Sequence, residues 1–375
     1  MVDVLVIGGG IAGCTTAWYL ASEGVDVILL EKGELNGLAS GSNAGSLHAQ
    51  IQHEPYVEYG ANWSKRFLPA LSFYAYSIDL WLKAESALQA DLEVSLDGGL
   101  IVAETGQQMR NIESKAELEQ QAGLATVLLD GAALREVAPY ISQDMCGGAL
   151  CPLEGKANPL VAAPAFARAA KGLGGKILSG HEVLNIRRRK NEFVVETSNG
   201  TFQARRIVNA AGINAGVLAA MVGGKLPIQA FPIQLSVTEP VAPVVRHLVY
   251  SAESMLTLKQ TRAGTILIGG GWPAISDRNG RAQVSAESLS RNLAVALRVV
   301  PSLADVNIVR SWAAVVNGTR DWLPIIGELN CAPGFFMNYV PWMGFTGGPA
   351  GGRIVASLVQ GKAPPVDFDL TPFSP

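Results

Sequence analysis

The stretch VDVLVIGGGIAGCTTAWYLASEGVDVILLEKG, Val2 to Gly33, constrains the fold of this chain more than any other. Val4 to Ile7 is a continuous apolar strand, Ile11 to Glu23 carries a helical pattern, and Val25 to Leu30 is a second apolar strand. Strands apolar on both faces belong to a parallel sheet covered on both sides, so the stretch reads as a βαβ unit. Gly8, Gly10 and Gly13 stand at its strand-to-helix turn in G-x-G-x-x-G spacing. The first allows the tight turn, the second lets a pyrophosphate approach the backbone, and the third packs the helix against the strand. Ile11 and Ala12 open the helix whose N-terminus faces the phosphates. Glu31 ends the second strand, where its carboxylate accepts hydrogen bonds from ribose hydroxyls and repels a 2′-phosphate. This is an adenine dinucleotide site.

At 375 residues the chain exceeds what one core usually supports, so two domains, or one with a large insertion, are expected. Only 16% of residues are charged and 49% are hydrophobic, a balance expected where surface is covered by partner subunits. The net charge of −3 excludes nucleic acid as a partner, and Arg187-Arg188-Arg189-Lys190 reads as a solvated strand turn. Strand-like sequence begins at Val2, so no signal peptide is expected. Ile207 to Gly224 and Ala332 to Gly352 are uncharged or nearly so, but asparagines, glycines and prolines break them, so neither reads as a membrane span. The expected location is the cytoplasm, with the inner face of the membrane as a peripheral site. Cys14, Cys146, Cys151 and Cys331 have no ligand-like spacing, and no metal site is expected in this chain.

Helical patterns fill Lys65 to Ala90 and Gln107 to Ala122, and a further helix enters at Asn158-Pro159 ahead of a strand near Ile177. Residues 182–212 read as a β-meander with an Asn199-Gly200 turn. Ile228 to Ile268 is mostly extended, Val284 to Val299 is helical, and the tail from Val309 returns to glycine-rich loop, strand and helix. The fold class is α/β. A Rossmann-like dinucleotide domain of the glutathione-reductase type spans 1–84, 146–224 and 311–375. An α+β substrate domain with an antiparallel sheet takes 85–145 and 225–310.

The C-terminal third separates FAD from NAD. NYVPWMGFTGGPAGGRIVASL places a glycine-rich turn directly before a helix, whose N-terminus suits the negative charge of a reduced flavin. G-x-G-x-x-G, EKG, ASGSNAGSL, GHEV, IVNAAG, DWLPIIG and GFTGGPAGG occur in an order that resembles the FAD-dependent amine and amino-acid oxidoreductases. That family contains D-amino acid oxidase, glycine oxidase and monomeric sarcosine oxidase. ASGSNAGSLHAQIQ is similar to the β subunits of octopine- and nopaline-type opine dehydrogenases. The resemblance implies non-covalent FAD, held by Glu31 and Lys32 at the ribose and by Ala39, Ser40, Ala44, Gly45 and Ser46 along the pyrophosphate and flavin. It also implies the Val183 backbone at the adenine, Ala211 and Gly212 beside the cofactor, and Met343, Gly344, Phe345 and Thr346 along the isoalloxazine. Its partners would be an α subunit with a second flavin and a small iron–sulfur subunit.

The pattern departs from the family where glycine oxidase-like members carry substrate-binding arginines, because Val316 and Trp342 stand there. Val316 also removes the cysteine that joins flavin covalently in sarcosine oxidase-like members. Loss of both charges suits a larger opine better than glycine. Trp342 would stack on a guanidinium or shield the flavin. A substrate carboxylate still needs a partner, for which His48 and Lys259 are both candidates. Arg262 is expected in solvent, and Arg320 with Asp321 to fix its loop. The implied reaction is oxidation of a secondary amine to an imine that hydrolyses. Alternatives are a proline-, hydroxyproline- or glycine-type dehydrogenase, a stand-alone oxidase, and a non-catalytic FAD electron relay.

Overall fold

The computed structural model describes residues 1–190 and 192–375. The βαβ unit forms as read: β1 (Val2–Ile7), α1 (Ile11–Ser22) and β2 (Val27–Leu30). A short helix α2 (Ala39–Ser42) and strand β3 (Ser46–Leu47) lead into α3 (His53–Leu88). That range is two helical segments joined at a kink, where Gly60 (φ 73°) leaves the helical conformation; the first segment, from His53, precedes the expected start at Lys65, and Pro69 lies inside the second. Next come β4 (Gly99–Ala103), α4 (Gly106–Gln121), β5 (Val127–Asp130), α5 (Gly131–Val137), β6 (Gly147–Cys151) and β7 (Gly155–Lys156). The Asn158 side chain caps α6 (Pro159–Gly172), with proline at its first position. β8 (Lys176–Leu178) precedes the meander of β9 (Val183–Arg189), β10 (Glu192–Thr197) and β11 (Gly200–Asn209), and α7 (Ala215–Ala220) follows.

The second extended region holds β12 (Gln229–Thr238), β13 (Leu248–Ser251), β14 (Thr257–Gln260) and β15 (Ile266–Gly269). A hairpin of β16 (Ile275–Ser276) and β17 (Ala282–Gln283) precedes α8 (Ala286–Val299). The tail is β18 (Ile308–Gly318), β19 (Ile325–Glu328), β20 (Phe335–Tyr339) and α9 (Gly344–Val359).

Two eight-stranded sheets organise these elements. The first runs β19-β20-β11-β1-β2-β8 with β10 and β9 as an antiparallel arm, and its β20, β11, β1, β2 and β8 are mutually parallel. Helices α1, α3, α6 and α9 bury one face of it, giving the largest core cluster. The second runs β18-β12-β15-β14-β13-β4-β6-β5 and is antiparallel except for the β13–β4 pair. β6 and β18 both pair within this second sheet, so residues 147–151 and 311–318 leave the dinucleotide domain in which the sequence division placed them. β18 aligns with β12 from Gln229–Gly318 to Thr238–Ile308, a register no local pattern in a glycine-rich tail announces.

The two ends of the chain meet where α9 crosses α1. Thr15 Oγ1 donates to the Gly348 carbonyl at 2.9 Å, and Asn338 Nδ2 donates to Thr16 Oγ1 at 2.9 Å. A methyl group on Gly348 would lie 2.7 Å from Ile11 Cγ1, so the helices approach as closely as glycine permits. Gly348→Val should therefore lower stability by about 1–3 kcal/mol through overpacking. Gly172→Ala, where an added methyl meets nothing within 4 Å, should leave the melting temperature unchanged or raised. Thermal unfolding of both variants checks the contrast.

Candidate functional site

A cleft of about 570 Å³ runs along the edge of the first sheet between the two helix N-termini. At one end lie the β1–α1 turn and Glu31; at the other lie Tyr339, Trp342, Gly344 and Phe345. The turn is shaped for close backbone approach. A Cβ on Gly13 would overlap the Gly8 carbonyl oxygen, and Gly8 itself has a φ of 114°. Ser40 Oγ accepts the Ile11 amide at 3.0 Å. Glu31 accepts the Gly9 and Gly33 amides at 2.7 and 2.8 Å, so its carboxylate braces the turn from the position a ribose would approach. At the far end α9 begins without a side-chain cap, which leaves its first amides and the positive end of its dipole toward the cleft.

These features fit a dinucleotide with a flavin at its distal end: a helix N-terminus at each end and a turn that only glycine fills. The residue-by-residue placement is uneven. Gly8, Gly10, Ile11, Ala12, Glu31, Lys32, Ala39, Ser40, Val183, Ala211, Gly212, Trp342, Gly344 and Phe345 line the cleft. Gly13 packs behind the turn, and Gly45, Met343 and Thr346 are buried beside the cleft. Ala44 and Lys259 line a separate cavity of about 1150 Å³ against the second sheet.

The distal end gathers several of the sequence candidates. The Thr346 hydroxyl donates to the Ser46 carbonyl at 3.2 Å and accepts the His48 amide at 3.0 Å. Lys259, 2% exposed, donates from Nζ to Ser46 Oγ at 2.5 Å. Burial, with the Lys156 charge beyond, holds the Lys259 ammonium well below the ordinary lysine range. Burial and the nearby Lys259 push His48 down to about 3. His48 and Lys259 therefore sit together across Ser46 as groups that favour their uncharged forms.

Trp342, at the distal end of the cleft, belongs to an aromatic wall. Trp342 stacks on Trp322 at 4.5 Å and leans on Phe231 at 4.6 Å, while Trp63 meets Trp322 edge-on at 5.9 Å. Both stacked tryptophans have left-handed backbones, φ 64° at Trp322 and 53° at Trp342, a strained conformation that clusters at functional sites. Val316 lies on β18 directly across from Phe231. Arg262 pairs with Asp91 in solvent, and Asp321 accepts from Thr319 Oγ1 and the Leu323 amide, fixing its loop as expected. Arg281, on the β16–β17 hairpin, overhangs the cleft with no ion pair among the described residues. Sequence reasoning missed it because the hairpin carries no motif.

Comparison with known proteins decides the family. The description FAD dependent oxidoreductase (DAO) matches residues 3–358. The chain belongs to this family. It is 29% identical over 374 residues to the beta subunit of sarcosine oxidase from Arthrobacter sp, covering 95% of this chain and 86% of that protein. It is 28% identical over 387 residues to the B subunit of opine oxidase from Rhizobium meliloti, covering 100% and 96%. Among solved structures, glycine oxidase from Geobacillus kaustophilus superposes with a TM-score of 0.83 at 27% identity, covering 100% of this chain and 98% of that one. This FAD-dependent oxidoreductase has no metal-holding cluster among its described residues, and none of its described helices is long and apolar enough to cross a membrane.

Two outcomes are expected. Glu31→Ala should weaken FAD binding about tenfold or more, since a hydrogen bond to a charged group contributes about 1.5–3 kcal/mol; titration of apoprotein by flavin fluorescence measures it, and unchanged affinity would remove Glu31 from the ribose. Burial also pushes His53 down to about 4. Both histidines bind a proton in the unfolded chain near its usual value of about 6.5 but resist it when folded. Stability should therefore fall as pH drops below about 6.5 toward the folded values. His48→Gln should make that fall shallower in denaturant titrations across pH.

Proposed function

We propose that this chain oxidises the secondary amine of an opine, an amino acid N-linked to a second carboxylic acid, as the catalytic subunit of a hetero-oligomeric dehydrogenase. The observation that carries this reading is the make-up of the region around the start of α9. Trp342, which lines the distal end of the cleft, is backed by Trp322 and Phe231, and Thr346 on α9 is hydrogen-bonded to Ser46 and His48, with Lys259 on Ser46. Such a region seats a long substrate with its apolar stem on the rings and its nitrogen toward the polar groups. Bound FAD would supply the oxidant, taking a hydride from the carbon that bears the nitrogen.

The residues proposed to hold it are those named from the sequence at the turn, along α2 and β3, and at the start of α9. The α9 N-terminus favours negative charge at the distal end. Burial of His48 and Lys259 keeps that end poor in positive charge, and a C–H adjacent to an uncharged amine is the one that yields hydride. The low charge content and the multi-subunit names of two relatives support a complex with further subunits; an α subunit and an iron–sulfur subunit are the partners proposed from the sequence resemblance. A second reading, a smaller N-alkyl amino acid such as sarcosine, is favoured by the similarity to the sarcosine oxidase beta chain.

Anaerobic bleaching of the flavin absorbance with octopine, nopaline, proline, sarcosine and glycine in turn tests the proposal. Rapid bleaching by an opine alone is expected. Bleaching by proline, sarcosine or glycine instead would retain amine oxidation and discard the opine. A flavin that no amine bleaches would favour an electron-relay role.

A further inference from the structure

Behind His48 runs a chain of buried hydrogen bonds for which neither cofactor binding nor hydride transfer gives a reason. Four donors converge on the Glu154 carboxylate, which is 0% exposed. The Ala49 and Gln50 amides reach Oε1 at 2.6 and 2.8 Å. Gln50 Nε2 and the Tyr250 hydroxyl reach Oε2 at 3.0 and 2.7 Å. The orientation of the Gln50 amide is set independently, because its Oε1 accepts from Lys115 Nζ at 3.1 Å. Lys115 in turn pairs with Glu119 at 2.5 Å, and Glu119 accepts the Ile51 amide at 2.9 Å. Two buried carboxylates thus take up the amides of three successive residues, 49 to 51, where β3 has ended and α3 has not begun.

The Tyr250 oxygen also lies 2.7 Å from His48 Nδ1. Tyr250 has one proton and two partners. A carboxylate is the stronger acceptor, so the proton goes to Glu154. Burial and the Glu154 charge hold the Tyr250 hydroxyl well above its ordinary range, so it keeps that proton. The Tyr250 oxygen is then an acceptor, and His48 must supply the hydrogen from Nδ1. A neutral imidazole protonated at Nδ1 has a lone pair on Nε2. That nitrogen has no hydrogen-bond partner among the described residues.

We propose that Glu154 and Tyr250 are positioning residues that lock His48 as the Nδ1–H tautomer, so that Nε2 accepts a hydrogen bond from the N–H of an uncharged amine substrate. The inference rests on the amine-oxidation reading above and adds a substrate rule: the site selects primary and secondary amines over tertiary ones, which have no N–H to offer. His48 takes no proton in this role. The charged and titratable groups that face it are Lys259 through Ser46, Tyr250, and Glu154 behind Tyr250.

The test joins a tautomer measurement to a discrimination measurement on the FAD-loaded protein. ¹⁵N-histidine NMR resolves which ring nitrogen is protonated; the chain has four histidines, and His48→Gln identifies the resonances that belong to His48. The expected result is Nδ1 protonated and Nε2 bare from about pH 5 to pH 8. Tyr250→Phe, which leaves the backbone contacts of Glu154 in place, should move the proton to Nε2. The same variant should narrow the preference for the reducing amine over its N-methylated analogue about tenfold, the worth of one hydrogen bond. Nε2 protonated in the unaltered protein, or a tautomer and a preference that Tyr250→Phe leaves unchanged, overturns the proposal. Failure of every amine to reduce the flavin overturns the amine-oxidation reading and the acceptor role with it, and is distinguishable because the tautomer is read without substrate.

Discussion

The contact between α1 and α9 is the constraint on which the rest of the molecule depends. Residues more than 330 positions apart are brought within hydrogen-bond distance there, by Thr15 on Gly348 and by glycines that leave no room for a side chain. Asn338, at the end of β20, ties the same helix through Ala12 and Thr16. Because both helices start at the edge of one sheet, this packing aims two positive N-termini into a single cleft. A dinucleotide with charge at its centre and a redox ring at its end is long enough to need both.

The second sheet contributes what the first does not. Dinucleotide sheets supply backbone amides and helix dipoles, which hold phosphate but do little for an amine. β12 and β18 bring Phe231 and Val316 up to the distal end, while β14 brings Lys259 to Ser46 and β13 brings Tyr250 to His48. The polar groups so delivered are enclosed, and enclosure sets their chemistry: a lysine and a histidine that favour neutrality beside a carboxylate with four donors. Buried ions are costly unless satisfied, and here every oxygen of Glu154 and Glu119 has a partner. The stretch from Ala49 to Ile51 is consequently held by side chains, where sheet and helix leave it bare.

The fold was legible from the chain wherever local pattern decides structure. An apolar strand, a turn that only glycine can make, an apolar helix and an acidic residue at a set distance force the βαβ unit, and Gly344 at the start of its helix marks the distal end. Asn158-Pro159 announces α6 because cap and first-turn chemistry are local. Sheet membership was less legible. β6 and β18 are short or glycine-flanked strands whose partners are chosen by register across distant residues, and their sequences carry no trace of it.

The inner workings of the site came from the folded chain alone. Lys115 and Glu119 stand four residues apart on a helix, a spacing that in the sequence belongs to solvent-facing pairs, yet both are buried to within 1% of completely. Trp342 was visible as a departure from the family pattern, but its stack on Trp322 depends on two left-handed backbone turns that no residue type at those positions predicts. His48, Tyr250 and Glu154 are separated by 202 and 96 residues along the chain. Local physics is written in neighbouring residues, and so the sequence determines strands, turns and the cofactor class. A proton's place on an imidazole depends on which distant oxygen it faces, and that follows only from how the two sheets close on one another.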